Sequence, residues 1–164
     1  MSITIFVIDE YASILTPTRS LLETQRDFAV VGEAADRQSA ASAVALCHPD
    51  IVVLNLTLPI DHSLDLVQRI RALCPSTPVI LLALFLKNEE VRQAVNAGVE
   101  GFVSYEAITS ELVRAIRQVV VGQHFVSRNL LEGGVEPSHS RYAQPRRFAF
   151  SLAERAATRR SVPI

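Results

Sequence analysis

No apolar run in the 164-residue chain approaches the roughly 20 residues of a membrane-spanning helix. The opening residues, MSITIFVIDE, lack the basic start and small-residue cleavage site of a secretory signal. Cysteine is scarce. Cys47 and Cys74 alone suggest two packed, reduced thiols in a cytoplasmic protein rather than a disulfide framework or a metal pair. The histidines, His48, His62, His124 and His139, are scattered without the spacing of a metal site. Net charge is only −1, so the chain as a whole gives no argument for nucleic acid or an acidic membrane surface. What is abundant is apolar character, 49% of all residues, enough for a sizeable core. The length suits one ordinary domain and an appendage.

The period of the apolar residues alternates between strand and helix. Ile3–Ile8, interrupted only by Thr4, is a nearly continuous apolar run, as expected of a parallel strand covered on both faces. Ile14, Leu15, Thr18, Leu21 and Leu22 then share a helical stripe. Phe28–Ala34 is predicted as a second strand, followed by a helix with Ala40, Ala43, Val44 and Cys47 inward. Asp50–Leu56 is the third strand, and Val67, Ile70 and Cys74 mark the third helix. Thr77–Leu84 is the fourth strand, with Val91, Ala94 and Val95 on the helix after it. Gly101–Ser104 is a short fifth strand. Leu112, Ile116, Val119 and Val120 line the inner face of the last helix, which Gly122 stops. Five strands alternating with five helices imply an α/β, flavodoxin-like, doubly wound parallel sheet of order 2-1-3-4-5.

After residue 127 the composition changes. Residues 128–164 contain Gly-Gly, several prolines and serines, and a cluster of arginines. From residue 129 onward there are six basic and three acidic side chains, against ten and fourteen before it. The expected division is a domain over 1–127 and a flexible basic tail over 128–164, too short for a complete output domain.

In such a sheet, ligands bind beyond the carboxyl ends of the strands, where strand order reverses. Asp9 and Glu10 end the first strand there, Asn55 the third, Ala83 the fourth, and Ser104 and Tyr105 the fifth. Two adjacent acids need a cation or hydrogen-bond donors. From residue 3 to about 127 the chain resembles a receiver domain of two-component response regulators, of the NarL/FixJ kind. The motifs are VVGEAAD, HPDIVVLNLTLP, RIRALCPSTPVILL, AVNAGVEGF and ELVRAIRQVVVGQHFVS. The resemblance implies phosphoryl transfer from a histidine kinase to a strand-three aspartate. It also implies Mg²⁺ on an acidic pair, a Ser/Thr after strand four and a Lys after strand five. Here Asp9 and Glu10 are the acidic pair, Phe102 falls on the aromatic switch position, and Pro59 on the proline of the loop after strand three. Asn55 stands at the phosphoacceptor position, Ala83 at the Ser/Thr position and Tyr105 at the lysine position.

An amide nitrogen lone pair is delocalised, so Asn55 is no nucleophile. Ala83 has no hydroxyl for a phosphoryl oxygen, and Tyr105 has no positive charge to pair with it. Three replacements that agree describe a degenerate pseudo-receiver. The chain is therefore expected to be no enzyme, to need no cofactor, and to hold Mg²⁺ weakly at best through Asp9 and Glu10. It is expected to work by protein–protein contact with a response regulator, a histidine kinase or a second copy of itself. The alternative is a truncated transcriptional regulator with weak DNA affinity through its basic tail. Leu84, Phe85 and Leu86 form a candidate docking loop, with Leu84 expected to join the core and at least one of the other two to lie over the site or at the surface.

Overall fold

The apolar runs fold into strands, and the central ones are buried on both faces. The computed structural model describes residues 2–10, 12–55, 60–84, 86–128 and 130, those of 12–16 by backbone alone. Every residue is buried in β3 (Ile51–Asn55), β4 (Val79–Ala83) and β5 (Gly101–Ser104). With β1 (Ile3–Ile8) and β2 (Phe28–Ala34) they form a parallel sheet, which a two-residue β6 (Phe125–Val126) extends to the order β2-β1-β3-β4-β5-β6. The helices are α1 (Ala12–Glu23), α2 (Arg37–Cys47), α3 (Ile60–Leu73), α4 (Asn88–Ala97) and α5 (Ile108–Val120), with a 3₁₀ turn over Tyr105–Ala107. The flavodoxin-like order of the first five strands is the expected one, and β6 is an addition to it.

Side chains alternate along each strand, so every strand feeds two cores. Phe6, Ile8, Val52, Leu54, Leu81 and Phe102 pack with α2, α3 and α4 on one face. Ile5, Val7, Val53, Ile80, Leu82 and Val103 pack with Leu22 of α1 and Leu112, Ile116 and Val119 of α5 on the other. Helix boundaries follow local chemistry. Asp36 caps α2 by accepting from the Gln38 N–H at 2.9 Å, and the Glu90 carboxylate accepts from the Lys87 N–H at 2.8 Å to open α4. Gly98 (φ 111°) and Gly122 (φ 89°) take the left-handed conformation just beyond α4 and α5.

Two expectations are corrected. β4 stops at Ala83, and Leu84, expected in the core, lies at a bend with 54% of its surface exposed. Leu86 takes the buried place instead, at 1%. Cys47 is exposed whereas Cys74 is buried. The inner stripe of α2 is Ala40, Ala41 and Val44, and the helix ends at Cys47 before its stripe can make another turn. Burial pushes the Cys74 thiol above its ordinary range, which keeps it protonated and unreactive.

Gly32 of β2 allows a close approach. A Cβ there would lie 2.4 Å from Cε2 of Phe6, whose ring is only 1% exposed. Gly32→Ala should therefore destabilise the protein by roughly 1–3 kcal/mol, the cost of overpacking a filled core. Urea denaturation reads this directly, and an unchanged midpoint would show that the Phe6 ring moves aside at no cost. On the other side of the sheet, Arg117 of α5 donates to Asp27 Oδ1 at 2.9 Å and holds that carboxyl below its usual range. Its contribution is present above the usual aspartate pKa and is lost as the pH falls below it.

After α5 the chain turns back onto the sheet. The Ser127 N–H donates to the Phe102 carbonyl at 2.9 Å, and the Leu86 N–H donates to the Leu130 carbonyl at 2.8 Å. Leu130 is fully buried, so the packed body extends at least that far. Residues 131–164, which hold nearly all of the expected tail, lie outside the described residues, as do Phe85 and Pro59.

Candidate functional site

Parallel strands all end on one edge of the sheet, and the order places β1 beside β3. Ile8 is in register with Leu54, so the residues that follow, Asp9 and Asn55, meet side by side. They are 2% and 3% exposed. Tyr105 reaches them from the turn after β5. Asn55 Nδ2 donates to Asp9 Oδ1 at 2.8 Å, and the Tyr105 hydroxyl donates to Asn55 Oδ1. The direction of this chain is fixed by chemistry. A carboxylate only accepts, so the amide must turn its N–H₂ to Asp9, which leaves its oxygen for the phenol. The phosphoacceptor and lysine positions of the resemblance are thus bonded to each other.

Glu10 has a partner that sequence reasoning missed. Arg37 Nε lies 2.5 Å from Glu10 Oε1, and the two side chains are 32% and 27% exposed. Arg37 is the first residue of α2, and its carbonyl accepts from Arg69 Nη2 of α3 at 3.4 Å. No local spacing marks this pair, because α1 and β2 separate its members in sequence. Only the sheet order brings the end of β1 to the start of α2.

Ala83 is 1% exposed at the end of β4, paired in register with Ser104. Phe102 is fully buried in the same core cluster as Ala83 and Leu86. Ser104 is also buried. Its N–H donates to the Ser127 hydroxyl at 3.0 Å, and that hydroxyl donates to the Glu111 carboxylate. Of the candidate docking loop, Leu84 is at the surface, Leu86 is in the core and Phe85 lies outside the described residues. Burial at 1% removes Leu86 from any docking face.

The donor set does not fit Mg²⁺. That ion demands near-octahedral oxygen ligands at roughly 2.0–2.1 Å and gives up its waters reluctantly. Here Asp9 Oδ1 faces an amide N–H, and Glu10 Oε1 faces a guanidinium. Among the described residues no group of three or more His, Cys, Asp or Glu side chains is arranged to hold a metal.

A doubly wound sheet with an acidic pair after its first strand, at the switch between β1 and β3, defines a receiver-type domain. The response regulator receiver domain family matches residues 5–117, and the chain belongs to that family. Among solved structures, a LuxR-family two-component response regulator from Aurantimonas sp. SI85-9A1 is 28% identical with a TM-score of 0.73, covering 79% of this chain and 93% of that one. The receiver domain of the putative response regulator NarL from Mycobacterium tuberculosis, at 23% identity and a TM-score of 0.68 over 74% and 98% of the two chains, shares the fold. Among curated proteins, response regulator protein VraR of Staphylococcus epidermidis is 25% identical over 123 residues, 75% of this chain and 59% of the relative. Transcriptional regulatory protein DesR of Bacillus subtilis is 27% identical over 130 residues, 79% and 64% of the two. The chain thus spans about three fifths of the length of these curated relatives.

Proposed function

We propose that this receiver-type domain takes no phosphoryl group and signals by protein–protein contact, independently of phosphorylation. The carrying observation is the chain Tyr105–Asn55–Asp9. A receiver of this kind needs an oxygen nucleophile, a bridging metal and donors to the transferred group's oxygens. Asn55 offers an amide already engaged on both sides, and Ala83 offers a methyl group. The partners that suit this reading are a response regulator, a histidine kinase or a second copy of the chain, in the cytoplasm, with no enzymatic turnover.

Acetyl phosphate in the presence of Mg²⁺ should leave the intact mass unchanged. Asn55→Asp should label weakly at most, because Ala83 and Tyr105 still leave the phosphoryl group unsupported. Stoichiometric acid-labile phosphate on the wild-type protein would sink the reading.

A second reading is favoured by the names of the relatives, some of which are transcriptional regulatory proteins. On it, the basic residues after 129 lend the chain weak affinity for DNA. That affinity would fall steeply as salt rises, and a mobility-shift series at increasing salt separates the two readings.

A further inference from the structure

We propose that Arg37 is a built-in counter-cation that closes the acidic pair to divalent metal, so that restoring the strand-three carboxylate alone does not restore a metal site. The inference deepens the reading above and rests on it: a site that takes no phosphoryl group can give its charges to the protein itself.

Adjacent carboxylates at a sheet edge repel each other unless each is matched. Asp9 is matched by the Asn55 amide at 2.8 Å and Glu10 by Arg37 at 2.5 Å. The position of Arg37 needs its own explanation. It opens α2, at the end of a helix where the macrodipole disfavours a cation. Nothing local recommends an arginine there, next to the capping Asp36. Glu10 does, because a planar guanidinium can hold a carboxylate oxygen through a directed N–H. The partial burial of both side chains shields the pair from the screening that makes fully exposed pairs weak.

A metal ion would have to do three things together. It would displace Arg37 from Glu10, turn the Asn55 N–H₂ away from Asp9, and sit beside the displaced guanidinium. Asn55→Asp relieves only the second. The released Glu10 carboxylate is needed as well, because a hard divalent cation in a protein site draws on several oxygen ligands.

The test uses the full chain and Mn²⁺ as a paramagnetic probe, with Mg²⁺ as competitor and no phosphodonor. Broadening of the Asp9 and Glu10 backbone amides is followed in the wild type, Asn55→Asp, Arg37→Gln and the double variant. The wild type and both single variants should show no saturable broadening at low millimolar metal. The double variant should bind at least about tenfold more tightly than Asn55→Asp, the scale on which changes around a metal site act. Saturable, Mg²⁺-competed broadening in the wild type would overturn the inference, as would an Asn55→Asp variant that binds as tightly as the double. Glutamine keeps most of the arginine stem's packing, and Arg37→Ala provides a second route to the same comparison if Arg37→Gln unfolds. Metal binding by the wild type without labelling by acetyl phosphate overturns this inference alone, whereas labelling of the wild type overturns the reading beneath it.

Discussion

Replacing Arg71 with alanine should lower the thermal midpoint by on the order of 10 °C, from a loss of about 3–5 kcal/mol when one member of a buried ion pair is removed. Arg71 Nη1 donates to the Thr77 carbonyl at 2.8 Å, and Nη2 donates to Glu100 Oε1 at 3.1 Å and to the Gly98 carbonyl at 2.5 Å. Glu100 Oε2 in turn accepts the Val79 N–H at 2.9 Å. One guanidinium therefore ties the end of α3 to the starts of β4 and β5. The side chains are only 17% and 8% exposed, so screening by water does little to reduce the loss. Arg71→Lys should not recover it, since a point charge cannot serve carbonyls and carboxylate in one plane. A double-mutant cycle with Glu100→Ala should give a total well below the sum of the single losses. A drop of only 2–3 °C for Arg71→Ala, the scale of about 1 kcal/mol, would place the pair with ordinary surface pairs. Because this fastening lies at the opposite end of the strands from Asp9 and Asn55, its loss tests the scaffold without touching the site.

Phe102→Ala should cost about 3–5 kcal/mol, as expected for emptying a fully buried aromatic site. The ring is 0% exposed and packs in the core that includes Ala83 and Leu86. The resemblance assigns Phe102 to the position of a switching aromatic, and energy decides what it does here. Full burial of a phenylalanine stabilises by about 1.5–3 kcal/mol. An outward ring would thus be disfavoured by roughly ten- to a hundredfold or more unless something compensates. The expected outcome is one inward conformer, read as a single set of Phe102 ring resonances. Equal populations of two ring environments, or a loss below about 1 kcal/mol on truncation, would show that the ring still toggles.

The central strands were legible because both faces are buried. A parallel strand with helices on each side reads as an unbroken apolar run, and Ile5–Ile8 and Ile51–Leu54 both do so. β6 was not, since two residues cannot show a period, and its pairing with Gly101 and Phe102 is a long-range fact. Leu84 missed the core because its expected burial assumed that the strand runs on, whereas β4 ends at Ala83 and the chain bends at Leu84. At the site, sequence supplied the residues but not their bonds. Asn55, Ala83 and Tyr105 could be read as losses, one at a time. That Tyr105 would donate to Asn55, and Asn55 to Asp9, depends on how far the turn after β5 reaches across the sheet edge. Arg37 and the Arg71–Glu100 pair were invisible for the same reason: their partners lie on other elements, at no fixed spacing.

The irregular start of the sheet and its late sixth strand bear on how copies of this chain can meet. A parallel sheet normally offers two rows of backbone groups to any passing strand, a template for edge-to-edge growth. Here one row is interrupted where the β1–β2 register shifts between Ile5 and Phe6, which leaves Val31 out of the pairing and Gly32 opposite Phe6. The other border is β6, only Phe125 and Val126 long, too short to template a regular neighbouring strand. Neither border invites a neighbouring strand to continue the ladder. Among the described residues, edge-to-edge growth of the sheet is thus disfavoured by the bulged β2 at one border and the two-residue β6 at the other.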